Sequence, residues 1–148
     1  MMELKCHFTD VHTVVILLLV HKLFKFIWYF PMVYLVDDDK SVCYGFGMFL
    51  ESAGMETRAF GTAENFLKDA RLQTGDILVL DIHLPGMSGC ELLRKLSEAE
   101  VTIPVIVVTA FDEPQSREEC RDYGVMAFLR KPVDGEALLD IITYSLLM

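Results

Sequence analysis

The chain contains 148 residues, which is enough for one domain and leaves little room for a second. With 53% hydrophobic and 24% charged residues it can build a core, which excludes intrinsic disorder and a coiled coil. The 13 basic and 22 acidic residues give a net charge of −9. This balance argues against direct nucleic acid contact, because a surface that neutralises phosphates is basic.

The first 33 residues differ from the rest of the chain in charge and polarity. They hold three basic and two acidic residues, net +1, which leaves ten basic and twenty acidic residues, net −10, for residues 34–148. The run Val14–Val20 is entirely apolar, but Lys22 and Lys25 follow it before the next apolar stretch. Each lysine near the middle of a spanning helix costs roughly 2.5–3.5 kcal/mol, so membrane insertion of residues 14–30 would be marginal.

We expect residues 1–32 to form an apolar N-terminal extension and residues 33–148 to form the folded domain. Three interpretations of the extension stay open: a segment outside the fold that precedes an alternative start at Met32, a membrane-associating helix over residues 14–30, or a packed accessory element. The first is favoured, because a predicted strand begins directly after Met32. A secretory signal fits poorly, since no basic segment precedes Val14 and no small-residue cleavage site follows. We therefore expect a cytoplasmic protein, with membrane contact only if the extension is native.

From Val33 onward, short apolar runs alternate with amphipathic stretches. The predicted strands are Val33–Val36, Glu56–Phe60, Ile77–Leu80, Ile103–Val108 and Val125–Leu129. The predicted helices are 40–53, 62–72, 88–99, 113–122 and 134–147. Unbroken apolar runs are typical of strands that are buried on both faces. Strict alternation of five strands with five helices predicts a parallel sheet with helices on both faces.

Capping residues support the predicted helix boundaries. Thr62, Ser88 and Asp134 stand at helix starts, where a side-chain oxygen accepts a hydrogen bond from a backbone N–H that lacks a helical partner. Gly54 and Gly124 stand where two helices should end, in the position that favours a left-handed backbone.

The four cysteines, Cys6, Cys43, Cys90 and Cys120, are at least 30 residues apart. No CxxC pair or Cys/His spacing indicates zinc, and the set does not resemble a disulfide framework. We therefore expect reduced, half-buried cysteines that act as small hydrophobic side chains.

Polar side chains follow or end four of the predicted strands. Asp37–Asp39 follow the first strand, Asp81 follows the third, Thr109 follows the fourth and Lys131 comes just after the fifth. Open parallel sheets form their binding sites at the carboxyl ends of the strands. If the first and third strands are neighbours, three carboxylates converge there. Like charges roughly 4 Å apart repel by about 4 kcal/mol per pair at an effective dielectric constant of 20.

A divalent cation would compensate this repulsion. Mg²⁺ prefers oxygen ligands and usually takes one or two carboxylates together with water and a phosphate group. Lys131 and Thr109 supply an ammonium and a hydroxyl that suit a phosphoryl group, so the set indicates an aspartyl-phosphate site. Each residue alone has a structural explanation, and Asp39 is expected to cap the following helix. The agreement of four strand ends favours the functional interpretation.

Four motifs carry a resemblance to a known family. They are VYLVDDD (33–39), LVLDIHLPGMSG (78–89), IPVIVVTA (103–110) and FLRKPVDGEALL (128–139). Together they resemble the receiver domain of two-component response regulators, most closely the FixJ type, over about residues 33–146. The resemblance implies a flavodoxin-like (βα)5 fold, which is an α/β three-layer sandwich with a parallel sheet of strand order 2-1-3-4-5.

The resemblance also implies roles for the residues of the acidic cluster. Asp81 would accept a phosphoryl group from the phosphohistidine of a sensor histidine kinase or a phosphotransfer protein. Asp37 and Asp38 would hold Mg²⁺, Asp38 directly and Asp37 largely through water. Asp81 itself and the backbone carbonyl of His83 would complete the metal site.

Further roles follow from the same resemblance. Lys131 and Thr109 would stabilise the phosphoryl group, and Thr109 with Phe128 would form the switch that changes a distal surface. The peptide bond between Lys131 and Pro132 would be cis. Receivers commonly dimerise or dock partners through their fourth helix, fifth strand and fifth helix, so this face is a candidate for a homodimer.

We expect a signalling receiver, with self-catalysed phosphotransfer and autodephosphorylation, rather than an enzyme with a small-molecule substrate. An aspartyl-phosphate hydrolase would use related chemistry but normally has an early DxD motif and a cap region, neither of which is evident. A further alternative is the receiver part of a longer DNA-binding transcriptional regulator, because FixJ-type receivers commonly precede a helix-turn-helix domain.

Overall fold

The computed structural model describes residues 12, 15, 16, 19, 31–111 and 114–148. His12, Val15, Ile16 and Leu19 are helical, and the other predictions about residues 1–30 lie outside the described residues. Within the described part of the chain, no helix is both long enough and apolar enough to span a membrane. The division of the chain between residues 32 and 33 stays a prediction.

Five strands alternate with five helices along the chain. The strands are β1 (Met32–Val36), β2 (Glu56–Phe60), β3 (Ile77–Leu80), β4 (Val105–Thr109) and β5 (Val125–Arg130). The helices are α1 (Lys40–Ser52), α2 (Ala63–Asp69), α3 (Gly89–Glu98), α4 (Pro114–Arg121) and α5 (Gly135–Leu147). All strands are parallel, in the order β2-β1-β3-β4-β5. The predicted flavodoxin-like (βα)5 fold is confirmed.

The sheet is buried on both sides, which explains why its central strands are apolar throughout. Alternate residues of the strands pack on one side against α2, α3 and α4, in a cluster that includes Phe66 and Leu92. The other side packs against α1 and α5, in a cluster that includes Leu50 and Leu138. The result is the three-layer sandwich that the alternation of elements predicts.

The capping residues act as the sequence predicts. Asp39, Thr62 and Asp134 each accept a hydrogen bond from a backbone N–H in the first turn of a helix. Ser88 forms a capping box with Glu91 at the start of α3. Two predicted boundaries are wrong by two residues or more. The helix predicted over 62–72 ends at Asp69, because Ala70 adopts an extended backbone. The strand predicted from Ile103 begins at Val105, after a proline that has no N–H to donate.

The prediction of reduced cysteines is correct for one residue and wrong for two. Cys43 is free and buried. Cys90 and Cys120 form a disulfide bond between α3 and α4. The two helices are neighbours in space, and a sequence separation of 30 residues does not reveal that. Cys6 lies outside the described residues.

Candidate functional site

Asp37 and Asp81 meet because β1 and β3 are neighbouring parallel strands. Val36 is the register partner of Leu80, so the residues that follow them lie at the same edge of the sheet. The Asp81 N–H donates to the Val36 carbonyl at 2.9 Å, which extends the ladder by one hydrogen bond. The alternation of strands and helices makes the strands parallel, and the strand order implied by the resemblance makes β1 and β3 neighbours.

The three aspartates expected to hold a cation form a cluster. Carboxylate oxygens of Asp37, Asp38 and Asp81 lie within 4.8 Å of one another. Asp37 and Asp81 are buried, whereas Asp38 is exposed. Asp39 stands apart as the cap of α1, and its N–H donates to Asp37 Oδ1 at 2.9 Å.

Lys131 joins the two buried carboxylates. Its Nζ donates to Asp37 Oδ2 at 2.5 Å and to Asp81 Oδ2 at 2.8 Å. Its N–H donates to the Thr109 carbonyl at 2.9 Å, and the peptide bond that it forms with Pro132 is cis, as predicted. We call Asp37, Asp38, Asp81 and Lys131 the acidic pocket.

Burial and pairing act in opposite directions on the pKa values of the acidic pocket. Burial raises the pKa of Asp37 above its usual range, although the hydrogen bonds from Lys131 and from the Asp39 N–H oppose the rise. Burial by itself lowers the pKa of Lys131, but the hydrogen bonds to Asp37 and Asp81 outweigh it and the pKa is raised. Lys131 is therefore firmly cationic and compensates one of the three carboxylates.

The residues of the acidic pocket fit Mg²⁺. All three candidate ligands offer hard carboxylate oxygens, which Mg²⁺ prefers, and no sulfur or imidazole belongs to the cluster. Three carboxylates facing one ammonium group leave two negative charges, which a single divalent cation would balance. Asp37, Asp38 and Asp81 are the residues that would hold it.

Two further predicted site residues, His83 and Thr109, contact members of the acidic pocket. The Asp81 Oδ1 atom accepts a hydrogen bond from the His83 N–H at 2.9 Å. Thr109 is buried at the end of β4, and its hydroxyl donates to the Phe111 carbonyl at 3.3 Å rather than to a pocket carboxylate. The same carbonyl lies 3.4 Å from His83 Nε2, and the two rings meet edge to face with centroids 5.8 Å apart. Phe111, which the sequence reasoning missed, therefore links the loops after β3 and β4.

Glu64, which the sequence reasoning missed, and Gly89 fix the loop after Asp81. Glu64 Oε1 accepts a hydrogen bond from the Met87 N–H at 2.8 Å, which ties this loop to α2. A Cβ atom on Gly89 would lie 2.6 Å from Ile82 Cα and 2.7 Å from the Asp81 carbonyl oxygen. The glycine thus allows α3 to begin directly against the backbone of the predicted phosphoryl acceptor. Gly89 is the last residue of the motif LVLDIHLPGMSG, which the resemblance assigns to the acceptor and the turn after it.

Phe128, the predicted switch aromatic, lies away from the carboxylates. It is the register partner of Val107 in β4 and packs, half-buried, against the core on the α2–α4 side of the sheet. The Arg117 guanidinium in α4 lies over its ring, 5.1 Å from the centroid. Phe128 therefore connects β5 to α4.

Comparison with known proteins identifies the family. The model of the response regulator receiver domain family matches residues 33–143. The chain belongs to this family. The predictions of a receiver domain and of a two-component system are thus confirmed.

Individual relatives agree with this assignment. The receiver is similar to the response regulator protein TmoT of Ectopseudomonas mendocina, with 31% identity over 78% of this chain and 52% of TmoT. It is 32% identical to the transcriptional regulatory protein FixJ of Rhizobium meliloti over 74% of this chain and 54% of FixJ. The solved structure of the response regulator StyR matches with a TM-score of 0.74 and 39% identity, over 80% of this chain and 60% of StyR. The chain thus spans about half the length of these curated relatives.

Receiver domains are signalling domains that interact with histidine kinases or phosphotransfer proteins. They generally bind Mg²⁺ at an acidic aspartate cluster. The acidic pocket of this receiver domain has the composition and the position in the sheet that such a cluster requires.

Proposed function

We propose that this receiver accepts a phosphoryl group on Asp81 from the phosphohistidine of a sensor histidine kinase or a phosphotransfer protein. The observation that supports this role best is the double contact of Lys131 with Asp37 and Asp81 beside the third carboxylate of Asp38. A buried aspartate next to an ammonium group can carry added negative charge, because the ammonium group can donate hydrogen bonds to the phosphoryl oxygens.

The transfer is a displacement at phosphorus. An Asp81 carboxylate oxygen forms the new P–O bond as the P–N bond to the donor histidine breaks, and the electron pair of that bond returns to the imidazole. Lys131 turns from the Asp81 carboxylate to the phosphoryl oxygens, and the Thr109 hydroxyl leaves the Phe111 carbonyl to donate to one of them. When bound, Mg²⁺ neutralises charge on the carboxylates and the phosphoryl group. Asp38 would hold it directly, Asp37 largely through water, and the His83 backbone carbonyl would complete the set with Asp81.

The response is a shift between two conformations of the domain. Movement of the Thr109 side chain towards the phosphoryl group empties space behind it, and Phe128 turns into that space. Because Phe128 lies under Arg117 of α4, its rotation alters the face formed by α4, β5 and α5. We place the homodimer or partner contact on this face, and the protein in the cytoplasm.

Labelling with acetyl phosphate in the presence of MgCl2 tests the acceptor. The wild-type chain should gain one phosphoryl group, detected by intact mass, and Asp81→Asn should gain none. Asp140→Asn makes the same chemical change at an exposed position on α5 and should label like the wild type. Full labelling of Asp81→Asn would show that another residue is the acceptor. Steady release of inorganic phosphate from small phosphate esters would instead favour an aspartyl-phosphate hydrolase.

A second candidate function rests on the length of the relatives. The chain covers 54% of FixJ, whose name describes a transcriptional regulatory protein. We therefore infer as an alternative that this receiver is the regulatory part of a longer DNA-binding regulator. Reading the native transcript past codon 148 tests the idea: an in-frame helix-turn-helix segment supports it, and a stop codon refutes it.

A further inference from the structure

Few buried side chains attach α4 to the rest of the domain. Its eight residues, Pro114–Arg121, are mostly polar or charged, and among them the structure shows only Cys120 buried. A helix of this length is not stable by itself in water. The position of α4 therefore depends strongly on the contacts of Cys120.

Cys120 is bonded to Cys90, which lies in the first turn of α3, and the two Cα atoms are 5.5 Å apart. We call this pair the α3–α4 disulfide. In contrast to α4, α3 is held firmly: the capping box at Ser88 fixes its start, and three leucines of α3 are buried in the core. The disulfide thus fastens a weakly anchored helix to a strongly anchored one.

The two cysteine residues differ in exposure. Cys120 has no exposed surface and belongs to the core cluster on the α2–α4 side of the sheet. Cys90 is half-buried at the edge of that cluster. Small thiols and disulfides can therefore reach Cys90 first, and Cys120 is placed to resolve the bond that forms there. This arrangement is typical of a thiol pair that exchanges with small molecules.

We propose that Cys90 and Cys120 form a reversible redox site that takes a small-molecule disulfide as oxidant and a thiol as reductant. In oxidation, the Cys90 thiolate attacks a disulfide RSSR, which gives a mixed disulfide and releases one RSH. The Cys120 thiolate then attacks the Cys90 sulfur, which closes the α3–α4 disulfide and releases the second RSH. The protein loses two electrons and two protons, and RSSR becomes two RSH.

The redox state sets how firmly α4 is held beside β5. In the oxidised domain, α4 is bonded to α3 while Arg117 lies over Phe128. In the reduced domain, α4 keeps its non-covalent contacts, among them the packing of Cys120 and the contact of Arg117 with Phe128. Disulfides in reducing compartments are usually transient and redox-sensing, which agrees with the cytoplasmic location in the proposed function. The redox site itself does not depend on phosphoryl transfer.

Thiol counting in glutathione buffers tests the proposal without any phosphoryl donor. The purified full chain is equilibrated over a series of ratios of glutathione to glutathione disulfide. It is then quenched with acid, unfolded and alkylated, and its mass is measured by intact mass spectrometry. Two thiols should disappear together as the buffer becomes oxidising, and peptide mapping should show Cys90 linked to Cys120. Cys43, which is free and buried, should stay alkylatable at every ratio.

Amide hydrogen exchange reports the effect on α4. Exchange of the amides of Gln115–Arg121 should slow by about tenfold or more on oxidation, because the bond suppresses local opening. In Cys90→Ser, the paired loss of thiols should vanish and α4 exchange should be fast in every buffer. Cys43→Ala, a matched control outside the pair, should keep the transition. The wild-type chain alone gives the decisive comparison if Cys90→Ser does not fold.

Several results would overturn the proposal. A disulfide that persists at every ratio would make the bond permanent, and four free thiols at every ratio would mean that it does not form. Bonds between chains, or to Cys6 or Cys43, would assign the chemistry to another pair. Equal α4 exchange in both redox states would remove the effect on the helix. Because no phosphoryl donor is present, failure of labelling at Asp81 leaves each of these outcomes unaffected.

Discussion

The acidic pocket and the α3–α4 disulfide belong to the same domain but are stabilised in opposite ways. In the acidic pocket, three carboxylates face a single ammonium group, so repulsion is only partly compensated. Between α3 and α4, a covalent bond and apolar packing hold the helices. The contribution of the acidic pocket to the free energy of unfolding should therefore depend on cations but not on thiols. The contribution of the α3–α4 disulfide should depend on thiols but not on cations.

The largest effect is expected from the loss of the ammonium group. Lys131→Met leaves the buried carboxylates of Asp37 and Asp81 without their partner, which should lower the free energy of unfolding by about 3–5 kcal/mol. Urea denaturation at neutral pH in the presence of EDTA measures this. MgCl2 should recover part of the loss, whereas dithiothreitol should not change it.

Arg94→Met is the control for this experiment. It removes an exposed pair with Glu98 on α3, and such pairs contribute about 0.2–1 kcal/mol. Similar losses in the two variants would mean that the ammonium group of Lys131 contributes no more than a surface charge.

Reduction of the α3–α4 disulfide should have the next largest effect. The bond closes a loop with a sequence separation of 30 residues, and restricting that loop in the unfolded chain stabilises the fold by about 3–4 kcal/mol. The free energy of unfolding should fall by this amount in dithiothreitol and should change equally in Cys43→Ala. If the decrease in the free energy of unfolding on reduction depended on MgCl2, the two regions would not be independent.

The two regions also differ in how far the sequence reveals them. The acidic pocket depends on strand alternation and on the rule that sites form at the carboxyl ends of parallel strands, and both are readable along the chain. Together with the strand order that the resemblance implies, these features predict that Asp37, Asp81 and Lys131 lie close to one another. The roles of these residues in phosphoryl transfer stay predictions.

The features that the sequence does not reveal are mainly contacts between helices and between loops. The bond between Cys90 and Cys120 requires that α3 and α4 lie side by side with the two cysteines adjacent, and the spacing of the cysteines in the sequence does not indicate this. Phe111 is an exposed aromatic residue after a strand, and its contact with His83 depends on the paths of two loops. The early end of α2 likewise follows from the backbone at Ala70 rather than from helix propensity.

A smaller effect is expected at Gly89, where the two regions meet. Gly89→Ala places a Cβ against the backbone of Asp81 and Ile82, and such overpacking should lower the free energy of unfolding by about 1–3 kcal/mol. Gly45→Ala is the matched control. A Cβ on Gly45 would have no neighbour within 4 Å, so alanine in α1 should instead raise the free energy of unfolding by about 0.5–1 kcal/mol. Thermal unfolding of both variants checks the opposite signs.

The smallest effect is expected from neutralising the exposed carboxylate of the acidic pocket. Asp38→Asn removes one source of repulsion, which should raise the free energy of unfolding in EDTA by about 1 kcal/mol, since exposed charges are screened by solvent. Titration with MgCl2 should stabilise the wild type, because a ligand of the folded state shifts the equilibrium by mass action. It should stabilise Asp38→Asn less, so that the wild type becomes the more stable of the two at saturating MgCl2. Asp140→Asn makes the same change on α5 and should follow the wild type in both conditions.

If Asp38→Asn and Asp140→Asn behave alike, the carboxylates of the acidic pocket do not form a cation site. If Asp38 were only a helix cap or a solvated turn residue, Asp38→Asn would change the free energy of unfolding in the same direction with and without Mg²⁺. If Asp38 belongs to a cation site, the direction differs, because the carboxylate destabilises the metal-free domain but binds the metal when it is present. The reversal of sign between EDTA and MgCl2 therefore separates the two explanations of Asp38 within a single pair of variants.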